Sequence, residues 1–496
     1  MDSFRIFRVL FLATVIYGKN IVVVLVDDLD LTLDGMQPLM NAQNLIGKQG
    51  ATYKNCFVAS PICCPNRASI LTGRYQHNHH TVNNSISGGC SSKQWQSNSE
   101  KTTFATILKD KMGYTTFYAG KYLNEYGSRA AGGAQYVPPG WDWWYGLVGN
   151  SKYYDYSLSI NGSAKTYGHS PNDYLTDVIK QFAVTFINGR NSNSGPFLMV
   201  LAPPAPHEPW TPAARHNDRY KNQKAKRTPN FNSPSQDDKH WLVRMGQSPL
   251  PSSVLPSLDD IYRKRWETLL AVDDLISSVY TSLRNSRLLD NTYLIFTSDN
   301  GYHIGQFSMP MDKRQPYETD IRVPLLIRGP GITPGSEVNA PVSSVDLFST
   351  ILGMGGVEAV SDGISMLSKN ISDDRSVLIE YRGEHSERMP RSGCPSDDDL
   401  NLSHCSKDMA CKCQDARNNT YACVRRYSKD HNNIFCIFED DSKYIEAYDL
   451  NADEFQMSNI GYTMKKGKRH RFRKRLRELI ECEGADCVRA QPMRAI

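Results

Sequence analysis

The stretch Ile21-Val22-Val23-Val24-Leu25-Val26-Asp27-Asp28 is an unbroken apolar run that ends abruptly in two acidic residues. Valine-rich runs of this length are typical of strands that are buried on both faces of a parallel sheet. Four further runs end in the same way, in glycine or polar residues. They are Thr115 to Tyr118, Phe197 to Leu201, Tyr293 to Phe296 and Val323 to Ile327. We predict that all five are parallel strands of one sheet.

Helical patterns fall between these runs, for example from Tyr262 to Leu283. Alternating strands and helices predict a large open α/β sheet, mixed or parallel and flanked by helices, and such sheets bind ligands at the carboxyl ends of their strands. The residues that follow the predicted strands are therefore candidates for a site. They are Asp27, Asp28, Lys121, His207, Asp299 and Asn300.

The 496 residues are long enough for one large domain and a smaller one. Hydrophobic residues make up 40% and charged residues 22%, without repeats or low-complexity blocks, which excludes a solenoid and wholesale disorder. We place a catalytic domain at residues 19–356 and a smaller, cysteine-rich domain with a basic tail at residues 357–496. Residues 214–257, rich in Lys, Asn, Pro and Ser, predict a long surface loop.

The first 18 residues have the pattern of a signal peptide. Arg5 and Arg8 precede an apolar run from Val9 to Tyr17. That run is shorter than the roughly 20 apolar residues of a membrane-spanning helix, and no later segment is long enough either. We therefore expect a protein of the secretory route that is not a membrane protein.

The twelve cysteines form an early and a late group, and in an oxidising compartment the late group predicts disulfides of undetermined pairing. Zinc binding by Cys411 and Cys413 is the alternative, although C-x-C lacks the usual C-x-x-C pairs. Five glycosylation sequons agree with export and predict surface loops. They begin at Asn83, Asn161, Asn370, Asn401 and Asn418.

The segment from Cys63 to Gly73 reads C-C-P-N-R-A-S-I-L-T-G. It resembles the signature of the type I sulfatases, C-x-P-x-R followed by L-T-G. The resemblance implies that Cys63 is oxidised to formylglycine by the formylglycine-generating enzyme, which reads Pro65 and Arg67. Cys64 has Asn66 at the proline position and does not fit. The plain alternative is that Cys63 and Cys64 are disulfide partners.

The chemistry of a sulfate ester explains why an aldehyde suits this position. A thiol that had accepted the sulfate group could not easily release it. A hydrated aldehyde offers one hydroxyl that attacks sulfur and a second that expels sulfate afterwards. Ala68 to Leu71 predicts the first turns of a helix, which would place the nucleophile near a positive helix end.

Four residues at two predicted strand ends form an all-oxygen set, which calcium or magnesium prefers over zinc. They are Asp27, Asp28, Asp299 and Asn300. An Asp-Asp pair alone also occurs as a helix cap or turn. Arg67, Lys121 and Lys313 are candidates to hold sulfate oxygens, and His207 is a candidate to protonate the leaving sugar oxygen. Taken alone, a lysine or arginine is normally a solvated surface charge and a histidine is often a structural residue.

Longer stretches resemble the type I sulfatases that act on N-acetylglucosamine 6-sulfate. Among them are LTGRYQHNHHTVNN, AGKYLNEYG, NSKYYDYSLSING and TSDNGYHIGQFSMPMDKRQPYETDIRVPLLIRGPGI. The resemblance implies an alkaline-phosphatase-like fold and one Ca2+, held by Asp27, Asp28, formylglycine at Cys63, Asp299 and Asn300. It also implies exo-acting removal of 6-sulfate from heparan and keratan sulfate by a lysosomal or secreted enzyme. A sulfated glycosaminoglycan is the expected partner and a nucleic acid is not, while the oligomeric state, a homodimer included, stays open.

Three other functions remain open. The extracellular heparan endosulfatases share several motifs, but they resemble ADHG where this chain has Ser298-Asp299-Asn300-Gly301, and they carry a basic insertion that this chain lacks. Phosphatases of the same superfamily place Ser or Thr at the nucleophile position and usually bind two zinc ions. A non-catalytic binder of sulfated polysaccharide is the third, favoured by the net charge of +5 and by a basic tail between Lys465 and Arg477. A solvated helix face would explain the same tail.

One position departs from the wider family, since many sulfatases have a histidine where this chain has Leu123. The proton acceptor for sulfate release is therefore open between His80, His303 and Asn124. The aromatic residues Trp141, Trp143, Trp144 and Tyr145 are better explained by core packing than by sugar stacking.

Overall fold

The computed structural model of the chain describes residues 18–234, 237–368, 371–384 and 407–491. Nearly all of the predicted signal peptide, the sequons at Asn370 and Asn401, and Cys394 and Cys405 lie outside these ranges. Within them, every helix is too short or too polar to cross a lipid bilayer.

A mixed sheet of eleven strands forms the centre of the molecule, in the order β12-β2-β11-β8-β1-β7-β3-β4-β5-β6, with β13 also paired to β2. A two-stranded ribbon, β9 and β10, lies apart from it. These strands are β1 Asn20–Val26, β2 Ala51–Phe57, β3 Thr115–Gly120, β4 Trp143–Leu147, β5 Ser157–Ile160, β6 Ser163–Thr166, β7 Phe197–Ala202, β8 Thr292–Ser298, β9 His303–Ile304, β10 Met311–Asp312, β11 Arg322–Arg328, β12 Ser336–Val338 and β13 Val342–Ser343.

Helices cover both faces of this sheet. Within the described residues, the helices are α1 Cys63–Thr72, α2 Gln76–His79, α3 Lys93–Ser97, α4 Phe104–Met112, α5 Leu175–Asn188, α6 Trp241–Arg244, α7 Leu255–Asn285, α8 Glu318–Ile321, α9 Asp346–Met354, α10 Lys466–Ile480 and α11 Ala485–Ala490. Short 3-10 turns occur at Ser99–Thr102, Pro171–Asp173, Ala214–His216, Leu289–Asn291, Lys407–Met409 and Arg417–Asn419, and a π-helix at Ala42–Gly47.

The first strand shows how the sheet is buried. Alternate residues of a strand point to opposite faces, so Ile21, Val23 and Leu25 join the core beneath α1, α4 and α9. Val22, Val24 and Val26 join the core formed with α5 and α7. Because both faces are covered, the strand reads as a continuous apolar run.

A second sheet of four antiparallel strands contains β14 Arg375–Tyr381, β15 Tyr421–Tyr427, β16 Asn432–Phe438 and β17 Ile445–Asp449. Val377 and Ile379 on one face belong to the same core as β1. Leu378 on the other face packs with α10. The domain boundary between residues 356 and 357 stays a prediction.

All five predicted strands are present, but the prediction that all five are parallel is wrong for the last one. Strand β11 runs antiparallel to β8 and β2, whereas β8, β1, β7, β3 and β4 are mutually parallel. A strand buried on both faces has the same apolar pattern in either direction, so its sequence contains no information on direction. The predicted helix from Tyr262 to Leu283 lies within α7. Residues 214–254 are mostly irregular, as expected, but residues 255–257 of the predicted loop already belong to α7. Leu242, Val243, Leu250 and Val254 are buried, so the expectation of a surface loop is wrong for them.

Disulfides join Cys64 to Cys90, Cys423 to Cys436 and Cys482 to Cys487. Cys63 has a free thiol, so the alternative that Cys63 and Cys64 pair with each other is wrong. Cys411 and Cys413 are also disulfide-bonded, which excludes the alternative of zinc bound by their thiolates.

The predicted surface position holds for one of the three described sequons. Asn161 is exposed in the turn between β5 and β6. Asn83 and Asn418 are buried at 8% and 6% exposure, so the expectation of a surface loop is wrong for them. The Oδ1 of Asn83 accepts hydrogen bonds from the backbone N–H and hydroxyl of Ser85, which turns its side chain inward.

The aromatic residues that follow α4 are core residues, as predicted, with one exception. Trp141, Trp144 and Tyr145 are buried, whereas Trp143 is 43% exposed.

Candidate active site

The site lies where several strands end at one edge of the large sheet. Strands β1, β3, β7 and β8 are parallel, so the residues that follow them, Asp27, Lys121, the loop to His207 and Asp299, meet at this edge. Strand β2 also ends there and leads into α1. All nine predicted catalytic and metal-binding residues are brought together, although Asp27 and Lys313 are 286 positions apart in the sequence.

Helix α1 presents Cys63 as its first residue, and every residue of the helix is buried. The predicted helix is thus confirmed and begins earlier than Ala68. The backbone N–H of Cys64 donates to Oδ1 of Asn84 at 2.9 Å, which fixes the first turn. The positive end of the helix dipole therefore points to the place where an anionic ester would react.

Cys63 itself is a buried, protonated thiol. Burial raises its pKa to about 12, although Lys121 and Lys313 act in the opposite direction. Its Sγ lies 3.8 Å from Oδ1 of Asp28. An unmodified Cys63 is therefore a poor nucleophile at neutral or acidic pH.

Asp28 and Lys313 form the most direct ion pair of the site. The Nζ of Lys313 donates to both carboxylate oxygens of Asp28, at 2.7 and 2.6 Å. Burial raises the pKa of Asp28, but Lys313, His207 and Lys121 together outweigh burial, so the net pKa is lowered. Asp28 has φ of 69°, a strained conformation for a residue other than glycine, and Arg265 Nη2 holds its carbonyl at 2.8 Å.

Two further ion pairs complete the charge arrangement. Lys121 Nζ donates to Oδ2 of Asp27 at 2.7 Å, and Arg67 Nε donates to Oδ2 of Asp299 at 2.7 Å. Burial raises the pKa of Asp27, but Lys121 is the first of several cations that bring it well below the usual value. Burial raises the pKa of Asp299 to about 7 despite Arg67, and the neighbouring carboxylate of Asp27 adds to the rise. Three carboxylates are thus crowded in one buried volume.

These residues fit a hard divalent cation. Oδ1 of Asp27 and Oδ1 of Asn300 are buried without a hydrogen-bond partner, which is costly unless an ion or ligand binds them. Ligand atoms of Asp27, Asp28, Cys63 and His207 lie within 4.8 Å of one another. Carboxylate and amide oxygens are the ligands that calcium and magnesium prefer, and a cation would relieve the crowding of the three carboxylates.

His207 lies at the rim of the site and is 13% exposed. Its Nδ1 donates to the carbonyl of Glu208 at 2.7 Å, which leaves Nε2 facing the site at 3.8 Å from Oδ2 of Asp28. Burial and then Lys313 lower the pKa of His207 to about 4. In the substrate-free site, Nε2 therefore has a lone pair at most pH values.

The three candidates for the missing proton acceptor differ sharply. His80 is exposed, and both ring nitrogens of His303 are engaged, Nδ1 by Asp320 at 2.9 Å and Nε2 by Gln414 at 3.0 Å. Asn124 is completely buried, and neither atom of its amide has a partner. The backbone carbonyl of Asn124 accepts a hydrogen bond from the hydroxyl of Ser91, the residue after Cys90 of the Cys64–Cys90 disulfide.

Several residues of the site were not found from the sequence. The hydroxyl of Ser151 donates to Oδ2 of Asp27, Asn66 Nδ2 donates to the carbonyl of Asp299, and Arg265 holds Asp28. Ser151 follows β4 and Arg265 lies within α7. Ser151 lies in the quoted stretch NSKYYDYSLSING, but that resemblance assigned no role to Ser151 or Arg265, and only the folded chain shows their contacts.

Comparisons with known proteins agree with this geometry. The sulfatase family model matches residues 19–357, more than half of the chain. The chain is 46% identical to the N-acetylglucosamine-6-sulfatase of Homo sapiens over 477 residues, which cover 94% of this chain and 85% of that protein. The chain belongs to the sulfatase family. It is therefore a sulfuric ester hydrolase.

A more distant sequence relative and a solved structure are also similar to this chain. The extracellular sulfatase SULF-1 homolog of Drosophila melanogaster is 38% identical over 388 residues, 75% of this chain but only 34% of that protein. A solved structure described as a complex with its substrate D-glucosamine-2-N,6-O-disulfate has a TM-score of 0.72 and 22% identity, and the match covers 97% of this sulfatase and 100% of that chain. The expected sulfatase fold is confirmed.

Proposed function

We propose that this sulfatase removes the 6-O-sulfate of N-acetylglucosamine 6-sulfate at the non-reducing end of heparan sulfate and keratan sulfate. The observation that carries the proposal is the meeting of Cys63 with three carboxylates and three cations at one sheet edge. The substrate class follows from the 46% identity to the human N-acetylglucosamine-6-sulfatase across nearly the whole chain.

The nucleophile and the metal are part of the same proposal. Formylglycine formed from Cys63 would supply, as its hydrate, one hydroxyl that attacks sulfur and a second that loses a proton and expels sulfate. Asp27, Asp28, Asp299 and Asn300, with the modified residue 63, would hold one Ca2+, which would polarise the sulfate ester.

The cations around Cys63 then act on charge that develops during the reaction. Lys121, Lys313 and Arg67 are held in place by Asp27, Asp28 and Asp299 before substrate arrives, so they need no reorganisation when charge grows on the sulfate oxygens. Their burial strengthens each interaction because water cannot screen it.

We infer that His207 exchanges a proton with the leaving sugar oxygen at Nε2. The hydrogen bond from Nδ1 to Glu208 fixes the ring so that Nε2 faces the site. The negative charge of a bound sulfate favours protonation of Nε2, which prepares it to donate to the departing alkoxide. Asn124 cannot accept a proton, since an amide is not basic.

Export through the secretory route completes the proposal. The disulfides indicate folding in an oxidising compartment, which is also where the formylglycine-generating enzyme would act. Residues 1–18 would be the signal peptide, Asn161 is the described sequon best placed for a glycan, and the destination is the lysosome or the cell exterior.

Desulfation of N-acetylglucosamine 6-sulfate monosaccharide, compared with internal 6-sulfates of a long heparan chain, tests the substrate. The enzyme, co-expressed with the formylglycine-generating enzyme, is expected to release sulfate from the monosaccharide and from chain ends. Release from internal positions alone would identify an endosulfatase instead. Cys63→Ala serves as the control for contaminating activity and is expected to be inactive on both substrates.

A further inference from the structure

Helix α10 carries a stripe of positive charge that the active site does not use. We propose that this basic stripe, defined as Lys466, Arg473, Lys474 and Arg477, is a second binding site for a sulfated polysaccharide chain, separate from the site that cleaves the sulfate. The inference rests on the proposed function for the identity of the polysaccharide.

The helix is fixed by its apolar side. Phe472, Leu476 and Leu479 are buried at 4% exposure or less, and the ring of Phe472 stacks on Phe435 at 5.4 Å. The disulfide from Cys482 to Cys487 closes the end of the helix. These contacts position the helix without a contribution from the four cations of the stripe.

The four cations of the stripe share the solvent side of the helix. With 3.6 residues per turn, Lys466, Arg473, Lys474 and Arg477 fall within roughly a third of the circumference and away from the buried side. All four are exposed. The rise of 1.5 Å per residue spreads them over about 16 Å along the helix axis.

The charges of the stripe are without acidic partners in the part of the chain that the structure describes. Lys468 and Arg475 on other sides of the helix do contact acids, namely Asp449 at 3.9 Å and Glu478 at 2.9 Å. Glu478 is the only acidic residue between positions 465 and 480. The stripe is therefore available to an external polyanion.

This charge pattern works against the helix itself. The first turn has Lys466, Lys468 and Arg469 but no acidic residue, although the positive end of the helix dipole favours acids there. Arg469, Arg473 and Arg477 follow one another at spacings of four, where like charges repel. A solvated face selected only for helix stability would have mixed charges, so the pattern indicates an external partner.

Charge complementarity selects the partner. A sulfated glycosaminoglycan carries sulfates and carboxylates at short, regular intervals, which match a row of cations without requiring a shaped pocket. Cys482, just after α10, accepts hydrogen bonds from His77 and Asn78 of α2, which follows the helix that begins with Cys63. The stripe and the catalytic helix thus belong to one connected unit, and a chain held on the stripe stays with the enzyme between cleavages.

The test compares two quadruple variants of equal charge. K466Q/R473Q/K474Q/R477Q removes the stripe, and K48Q/K101Q/K111Q/K221Q removes four exposed lysines elsewhere. The stripe variant is expected to elute from a heparin column at lower salt and to have a KM for long heparan chains that is about fivefold higher or more. Its kcat/KM for the monosaccharide is expected to be unchanged, and the control is expected to match the wild type in every assay.

Several outcomes would overturn the proposal. Equal losses of heparin affinity in both quadruple variants would show attraction by net charge alone. Unchanged heparin affinity in the stripe variant would show that the stripe does not bind the polysaccharide. Equal binding to duplex DNA or to phosphatidylserine vesicles at the same salt would remove the preference for sulfated polysaccharide. Cys63→Ala protein is expected to bind heparin like the wild type, so failure of binding and failure of catalysis are separately visible.

Discussion

The two charge-rich regions of this sulfatase are built in opposite ways. At the sheet edge, Lys313, Lys121 and Arg67 are buried, and each is paired with a carboxylate. Along α10, the cations of the basic stripe are exposed and have no acidic partner among the described residues. The difference in burial predicts a difference in behaviour. Loss of one buried cation should lower kcat strongly, and added salt should not reproduce that loss. Loss of one exposed cation should weaken polysaccharide binding only slightly, and added salt should weaken binding in the same way.

Removal of a single buried cation should produce the largest change, a loss of catalytic rate. Lys313→Met takes away a preorganised charge beside Cys63, and we expect kcat to fall about 100- to 1,000-fold. Steady-state kinetics on the monosaccharide would measure it, with circular dichroism to verify folding. Lys48→Met is the matched control on the exposed surface. A loss below tenfold would mean that the buried pair with Asp28 serves the fold rather than the reaction.

Withdrawal of the divalent cation is the next test of the buried region. If Ca2+ binds at Asp27, Asp28, Asp299 and Asn300, a free concentration of 100 Kd should stabilise the protein by about 2.7 kcal/mol. A chelator should therefore lower both the melting temperature and the activity, and added Ca2+ should restore both. Asp299→Asn provides the contrast, because its melting temperature should respond less to Ca2+. An unchanged melting temperature in chelator would argue against a structural role of the cation.

His77 connects the two regions, and its replacement should reduce the stability by an intermediate amount. Its Nδ1 contacts Glu380 at 2.8 Å and its Nε2 contacts the carbonyl of Cys482 at 2.9 Å. Burial lowers the pKa of His77, but the hydrogen bond and the charge of Glu380, together with the carbonyl of Cys482, outweigh burial and raise the pKa to about 9. Because the folded pKa is above the ordinary value, the stabilisation is complete below about pH 6.5 and is lost as the pH rises through 9.

The expected cost of His77→Gln is about 1 to 2 kcal/mol of unfolding free energy near pH 6, and close to nothing above about pH 9.5. Urea denaturation at the two pH values measures it. His169→Gln is the control, since the contact of His169 with Asp155 is exposed. A cost that is equal at both pH values would show that His77 acts through packing rather than charge.

Charge reversal at the start of α10 should change the stability least, and it should stabilise the protein rather than destabilise it. Lys466→Glu places an acid in the first turn, where the helix dipole favours it, and should raise the free energy of unfolding by about 0.3–1 kcal/mol. Chemical denaturation at low salt would detect the gain, and Lys474→Glu, nearer the middle, should give less. Destabilisation by Lys466→Glu would mean that the lysine has a local structural role.

The sequence alone predicts the site better than it predicts the sheet. Asp27 and Asp299 were identifiable because each follows an apolar run that ends abruptly, and Cys63 because its signature is specific. The direction of β11 was not accessible, since burial on both faces gives the same pattern either way. Ser151 and the unpartnered amide of Asn124 depend on how distant segments meet, which no local pattern records. The apolar spacing of Phe472, Leu476 and Leu479, in contrast, already indicates an amphipathic helix.

The central claim is that residue 63 of the active enzyme is an aldehyde rather than a thiol. Peptide mass spectrometry of active, purified protein measures this directly, after trapping of aldehydes with a hydrazide. We expect the peptide that contains residue 63 to have lost sulfur and to form the hydrazone, in proportion to specific activity. Full activity in a preparation in which Cys63 is entirely a thiol or a disulfide would contradict the account.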